Sequence, residues 1–326
     1  SPTANVCIKP INSEAINALA KQHDLPARIF DLDHPDTLAS ALSGIDAVLH
    51  CAGPFSATAA PMLEGCLQVG AHYFDITGEI SVFKHCHEQN ERARERGIVV
   101  MPGTGFDVVP TDSLAAILKR DLPEAHELVL AFDAGGGPSQ GTAKTAVEGL
   151  ANGGMVRRNG ELVRVPLAYK TREFEFNGER RFAMTIPWGD VYTAFVSTGI
   201  PNIEVYMGVP PKTAERVRRL NWVRPLLGLG VVQRWLKSQV EKRGPGPSDD
   251  RRGQTGATVW GEVRSAGGRE IRKVLTTPNG YDLTAHSAFA ILNHILAVKP
   301  AGGFYTASQL MGADFVLGLP GVQLHG

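Results

Sequence analysis

Cysteine is scarce in this chain: four residues, Cys7, Cys51, Cys66 and Cys86, all in the first third. None forms a C-x-x-C pair. That count and spacing exclude a disulfide scaffold and a zinc ribbon, and they fit a reducing, cytoplasmic setting. Net charge is lacking too, with Lys plus Arg at 33 and Asp plus Glu at 33. A dedicated nucleic-acid binder carries a basic excess, so nucleic acid is not expected as a partner. Disorder needs low hydrophobicity with high net charge, whereas 43% of these residues are apolar. The longest nearly apolar stretch, Pro225 to Val232, is far short of a bilayer span. The N-terminal residues show no signal-peptide pattern.

Several catalytic signatures are missing as well. Ser113 and Ser139 lie in no G-x-S-x-G elbow, which disfavours a serine hydrolase. Gly135-Gly136-Gly137 is followed by no Walker sequence. His85-Cys86-His87 sets its two imidazoles at i and i+2, which point apart on a helix. A surface helix face is the simpler reading, and no metal is expected.

What is present is a regular alternation. Arg28 to Leu32, Asp46 to Cys51, Ala71 to Ile76 and Ile98 to Met101 read as short strands. Helical spacing follows each: Thr37 to Leu42 behind Asp36, Thr58 to Val69, Ile80 to Arg96, and Thr111 to Lys119. Strand and helix at this spacing mean a parallel sheet with helices on both faces. After residue 120 the pattern changes. Leu128 to Phe132 reads as a strand and 140–151 as a helix. Turns at Asn159-Gly160, Asn177-Gly178 and Gly267-Gly268 imply hairpins. Phe195 to Ser197 and Ile203 to Met207 read as further strands. Residues 281–298 form a long helical stretch. The expected architecture is α/β: a Rossmann-like parallel sheet from 1–120 plus 278–326, and a second α+β domain, 121–277, containing an antiparallel sheet.

Ligands of doubly wound sheets bind beyond the carboxyl ends of the strands, so three segments are candidates. His50-Cys51-Ala52-Gly53-Pro54-Phe55 offers small residues against which a ligand can lie. It reads equally as a plain strand-to-helix turn. Tyr73-Phe74-Asp75-Ile76-Thr77-Gly78-Glu79 carries two carboxylates suited to orienting substrate or moving a proton, although Thr77 and Glu79 also suit a helix cap. Pro102-Gly103-Thr104-Gly105-Phe106-Asp107 exposes N–H groups after a strand. It lacks the third glycine of a pyrophosphate loop, because position 108 is Val.

Residues 213–243 hold eight Lys or Arg against two acids, with Trp222 and Trp235 among their apolar residues. They read as an amphipathic helical pair packed on the second domain. The other reading is a surface for an anionic membrane, or a mouth for lipid.

Read together, Val48 to Phe55, Gly70 to Glu79 and Gly103 to Asp107 resemble the saccharopine dehydrogenase-like oxidoreductase family. The likeness continues in Gly246-Pro247-Ser248, Val259 to Glu262, Thr277 to Tyr281 and Gly312 to Phe315. The stretch 213–262 is closer to the trans-acting enoyl reductase branch than to the lysine-pathway enzymes. The resemblance implies an NADP or NAD cofactor and hydride transfer to or from a small or lipid-like substrate between two domains. It implies cofactor contacts at Asp31, Leu32 and Cys51, Ala52, Gly53, Pro54 and Phe55. It implies catalytic roles for Asp75 and Glu79, substrate contacts at Thr104, Gly105, Phe106 and Asp107, and a homodimer. The family opens with a strand, a Gly-rich loop and a helix. Here Val6 to Pro10 sits where its second strand belongs, so about 30 residues have no counterpart. A shortened N-terminus, an altered one, and a degenerate, catalytically silent binding or membrane-associated protein are the alternatives this leaves.

Overall fold

The three-dimensional structure is a computed structural model that describes residues 6–8, 13–134, 140–176, 179–242 and 255–326. The expected turn at Asn177-Gly178, the glycine run before Ser139 and the loop 244–252 lie outside these residues.

Short apolar runs closed by small residues build the first part. In chain order these elements are β1 (Val6–Ile8), α1 (Ser13–Gln22), β2 (Ala27–Ile29), α2 (Pro35–Leu42), β3 (Ala47–His50) and α3 (Phe55–Val69). They continue with β4 (His72–Asp75), α4 (Ile80–Glu88), α5 (Asn90–Arg96), β5 (Val99–Met101) and α6 (Val109–Asp121). β3, β4 and β5 are parallel, with His50 opposite Asp75 and Phe74 opposite Met101. β1 pairs in parallel with β2 as a separate two-stranded sheet. Among the described residues no strand hydrogen-bonds this pair to β3, where a doubly wound order would set one.

Helix boundaries follow local chemistry more finely than periodicity shows. Pro35 opens α2 at its first turn, with His34 and not Asp36 as cap. α3 starts at Phe55, three residues before the expected Thr58, and stops at Gly70 in the left-handed region. The single helix expected over 80–96 is two. Gln89 turns at φ −89° and ψ 6°, and Asn90 Oδ1 accepts the Phe304 N–H at 2.9 Å. The break lets the returning tail dock.

The second part holds β6 (Ala125–Ala134), α7 (Gln140–Gly149), β7 (Gly154–Arg158), β8 (Glu161–Val165), β9 (Thr171–Phe176), β10 (Glu179–Thr185) and α8 (Asp190–Thr198). After these come β11 (Asn202–Gly208), α9 (Pro211–Arg219), α10 (Arg224–Leu227), α11 (Gly230–Lys242), β12 (Ala257–Ser265) and β13 (Glu270–Thr277). The tail adds α12 (Gly280–Val298), β14 (Gly303–Phe304), α13 (Ala307–Met311) and β15 (Gln323–His325). β14 extends the first sheet beside β5, whereas β15 edges the second beside β13. The tail thus serves both sheets.

The second sheet runs β15-β13-β12-β6-β11-β10-β9, with β7 and β8 branching from β11. It is mixed and not purely antiparallel: β6 and β11 are parallel, with Leu130 opposite Val205. The long excursion between them makes the crossover that parallel pairing needs. The segment Phe195 to Ser197, expected as a strand, is the last part of α8. Its β-branched residues favour a strand, but Val191, Ala194 and Thr198 recur at helical spacing and are buried.

α6 is the spine between the two parts. Val109, Leu114, Ala115, Ile117 and Leu118 are fully buried. A side chain at Gly261 of β12 would begin 2.6 Å from Leu118, so α6 lies almost on the strand backbone. Of its buried polar side chains, Thr111 and Asp112 are paired, while the Ser113 hydroxyl has no partner among the described residues. Thr111 donates to Asp190 at 2.5 Å, and Asp112 accepts from Ser197 and from the Ser308 N–H.

Candidate functional site

Three turns meet at the carboxyl ends of β3, β4 and β5, and a buried carboxylate ties two of them. Asp75 is wholly buried at the end of β4. Its Oδ1 accepts the N–H groups of Thr77 at 3.0 Å and Gly103 at 2.8 Å. Its Oδ2 accepts the Tyr73 hydroxyl at 2.7 Å, and its carbonyl accepts the Thr104 N–H and hydroxyl. Burial pushes the acid up to about 6 against the pull of these bonds. Gly103 is required beside it, since φ is +74° and a Cβ would stand 2.7 Å from the Phe83 ring.

Glu79 joins the turns after β3 and β4 to the second domain. Its Oε1 accepts the Phe55 N–H at 3.1 Å and the Thr145 hydroxyl of α7 at 3.3 Å. Burial raises this acid, the Phe55 bond opposes the rise, and the nearby Glu148 adds to it. The carboxylate therefore occupies the N-terminus of α3, where a helix dipole favours an anion. Ser56 continues the bridge, donating to Glu148 at 3.1 Å, and Lys237 of α11 pairs with Glu148 at 2.5 Å.

His50 braces the turn after β3. It is buried, lies 2.8 Å from the Thr58 hydroxyl, and burial lowers it to about 4. Thr58 has one proton, which goes to the Ala52 or Pro54 carbonyl. His50 Nε2 must therefore donate to Thr58, which fixes a neutral tautomer.

The remaining sequence candidates divide by exposure. Cys51 and Gly53 are exposed, and Ala52, Pro54 and Phe55 are half-buried, so this turn is open to a ligand. Leu32 is a core residue at 4% exposure, in the cluster with Leu38 and Leu63, so its side chain packs inward. Asp31 lies at the surface, where it accepts the Asp33 N–H. Thr104, Gly105 and Phe106 are buried. The Thr104 carbonyl accepts the Ser287 hydroxyl and the Phe106 N–H donates to Thr284, so both tie the loop to α12.

Asp107 differs. It is half-buried, and no hydrogen bond or ion pair reaches its carboxylate among the described residues. Burial alone raises it to about 7. Its carbonyl accepts the Trp188 indole N–H at 2.7 Å. A side chain at Gly78 would begin 3.3 Å from its Oδ2 and 3.2 Å from the Trp188 ring. The carboxylate thus stands where the turn after β4 meets the second domain.

Trp188, Thr145 and Glu148 were not found by sequence reasoning. They come from the second domain, where no motif marks them. The bare signal was Pro187-Trp188-Gly189, an aromatic held between two turn residues. His85 and His87 are half-buried while Cys86 turns into the core, so the helix face is not purely a surface one. Among the described residues no cluster of three His, Cys, Asp or Glu is arranged to hold a metal ion.

A dinucleotide fits this site in part. The open turn Cys51 to Phe55 offers small residues at the carboxyl end of β3, as a nicotinamide edge requires. The N-terminus of α3 is filled by Glu79, and the described residues hold no glycine-rich phosphate cradle.

Residues 4–101 match the saccharopine dehydrogenase NADP binding domain. The saccharopine dehydrogenase-like oxidoreductase of Rattus norvegicus is 27% identical over 137 residues, covering 40% of this chain and 32% of the relative. The trans-acting enoyl reductase of Mycobacterium leprae is 29% identical over 90 residues, covering 27% and 22%. The matched part is thus a third or less of these relatives' length. The apo saccharopine dehydrogenase (L-Glu forming) of Saccharomyces cerevisiae superposes with a TM-score of 0.63 at 11% identity, covering 99% of this chain and 94% of that one. Residues 4–101 are therefore similar to a saccharopine dehydrogenase NADP-binding domain, and the described chain shares the α/β fold of that yeast structure.

Proposed function

We propose that the chain is an NADP-dependent oxidoreductase whose small or lipid-like substrate lies between the turns of the first domain and the Trp188 side of the second. The observation that carries this is Asp107: an unpaired, half-buried carboxylate at the domain junction, titrating near neutrality. Such a group suits proton donation or acceptance at the substrate. The bound nicotinamide would supply or accept the hydride. Cys51 to Phe55 would line the nicotinamide side, with Asp31 toward the ribose. Asp75, saturated by its own loops, is a positioning residue in this reading. Glu79 orients the turn through Phe55 and holds it to α7.

The same reading includes a homodimer through the outer face of the second sheet. Gly261 faces α6, so its neighbours Trp260 and Glu262 point the opposite way. There Glu262 holds Arg172 and Arg272, which with Phe174 and Trp260 line a groove of about 500 Å³.

The test is NADPH and NADH titration of this chain beside a version extended by a strand, a Gly-rich loop and a helix at its N-terminus. NADPH binding by either supports the reading. Binding by neither overturns it in favour of a silent binding protein.

A further inference from the structure

The large apolar side chains most open to solvent are concentrated in one strap. Of the ten among the described residues, six lie between 222 and 235: Trp222, Val223, Leu226, Leu229, Val231 and Trp235. Trp222 is 89% exposed, Val231 70% and Trp235 58%. Scattered exposed leucines need no explanation, but a contiguous apolar run with two open indoles does. The strap is not loose chain. Ala214 and Leu227 are buried, Val217 packs on the main core, and Gln233 donates to the carbonyls of Val147 and Leu227. The fold anchors one side of the strap and turns the other outward.

Its charge is one-sided. Arg216, Arg218, Arg219 and Arg234 are exposed. Arg216 and Arg234 have no ion-pair partner among the described residues, while Arg219 meets Glu215 only at 3.8 Å. The chain as a whole is neutral, so this excess is local. Two of its four tryptophans stand here, whereas Trp260 is buried and Trp188 half-buried. Indole rings settle at the boundary between headgroups and acyl chains, and guanidinium groups reach anionic headgroups while their stems lie on apolar surface. A protein partner would need acids to meet the arginines and a fitted pocket for each indole. A bilayer needs neither shape.

We infer that residues 216–235 dock on an anionic lipid bilayer and bring the mouth of the candidate site to that surface. The connection runs through named contacts. Lys237, two residues beyond Trp235, pairs with Glu148 of α7, which accepts from Ser56 at the start of α3. Lys144 of α7 pairs with Glu241 at 2.7 Å. A docked strap thus sets the turn Cys51 to Phe55 beside the membrane. Resting on the function proposed above, this narrows the substrate class to one with an acyl or other aliphatic chain.

The experiment is co-sedimentation of the full chain with phosphatidylcholine vesicles, with and without phosphatidylserine, at low and high salt. Sedimentation with the anionic vesicles at low salt, weakened by salt, is expected. Arg216→Gln with Arg234→Gln lowers the partition coefficient about thirtyfold, from roughly a fivefold factor per charge. Trp222→Ala with Trp235→Ala lowers it at least about tenfold. These side chains are exposed, so both variants keep the wild-type melting temperature and NADPH affinity without vesicles. A chain that stays in the supernatant at low salt overturns the inference, as does equal sedimentation of the Trp variant. Equal binding to soluble polyglutamate overturns it in favour of an acidic protein partner. A dimer that the Trp variant dissociates without vesicles overturns it in favour of self-contact. Loss of NADPH binding with vesicle binding intact would sink the oxidoreductase reading and leave the bilayer surface standing.

Discussion

Asp75 accepts the Gly103 N–H at 2.8 Å, so one buried carboxylate holds the loop after β5 against the turn after β4. Two N–H groups and a tyrosine hydroxyl depend on it. Asp75→Ala leaves them without a partner and costs about 3 kcal/mol in urea unfolding. Asp75→Asn keeps an acceptor for the two N–H groups, but its Nδ2 cannot accept the Tyr73 proton, so that hydroxyl must turn and accept instead, at about 1 kcal/mol. NADPH affinity follows the same order. If Asp75→Asn kept full stability and yet abolished turnover, Asp75 would be a catalytic residue and not a positioning one.

Asp107 and His50 move stability in opposite directions with pH. Burial raises Asp107 from 3.8 to about 7, so the folded chain holds its proton more tightly than the unfolded chain. That contribution is complete below the unfolded value and lost as pH rises through 7. Burial lowers His50 from 6.5 to about 4, so its contribution is complete above 6.5 and lost as pH falls toward 4. Asp107→Asn therefore gains at least about 1 kcal/mol over wild type between pH 4 and 8. His50→Gln removes about 2 kcal/mol of acid sensitivity over the lower window. Urea unfolding at both ends of the range reads both effects. Variant-minus-wild-type differences that do not change with pH would mean both groups titrate normally.

The strands that carry the site were legible in the sequence because each is short, apolar and closed by small residues. Ala47 to His50, His72 to Asp75 and Val99 to Met101 all lie within their expected spans. The order of the turns beyond them followed from that. What the sequence could not show is which way a side chain turns. Asp75 and Asp107 are both acids just past a strand, and only burial separates the saturated one from the unpaired one. Trp188 and Thr145 reach the site by tertiary packing, across more than 60 residues in each case. Phe195 to Ser197 favours a strand locally through Phe195 and Val196, but packing of α8 on α6 overrides that preference.

Gly103 and Gly70 separate backbone freedom from space. Both have positive φ, +74° and +81°, but a Cβ at Gly103 meets Phe83 at 2.7 Å while one at Gly70 meets nothing within 4 Å. Gly70→Ala costs about 1 kcal/mol for the backbone alone. Gly103→Ala adds overpacking and costs about 3 kcal/mol or more. Thermal or urea unfolding of the two variants gives the comparison. Equal losses would mean that the Phe83 ring moves aside freely.

Glu79 tests where a dinucleotide's phosphates lie. Its carboxylate holds the Phe55 N–H at the start of α3, so the turn nearest the nicotinamide side carries a negative charge where the helix dipole would otherwise attract an anion. Glu79→Gln keeps an oxygen acceptor for Phe55 and removes the charge. If the phosphates approach this turn, NADPH binds the variant two- to fivefold more tightly, about 0.3–1 kcal/mol for one charge at a helix end. Glu79→Ala frees the N–H but also loosens the bridge to Thr145, so its gain is smaller and its melting temperature lower. Fluorescence titration with NADPH at low and high salt reads the difference, because a charge effect shrinks as salt screens it. An unchanged Kd in Glu79→Gln would set the phosphates away from α3, on the side of β1 and β2.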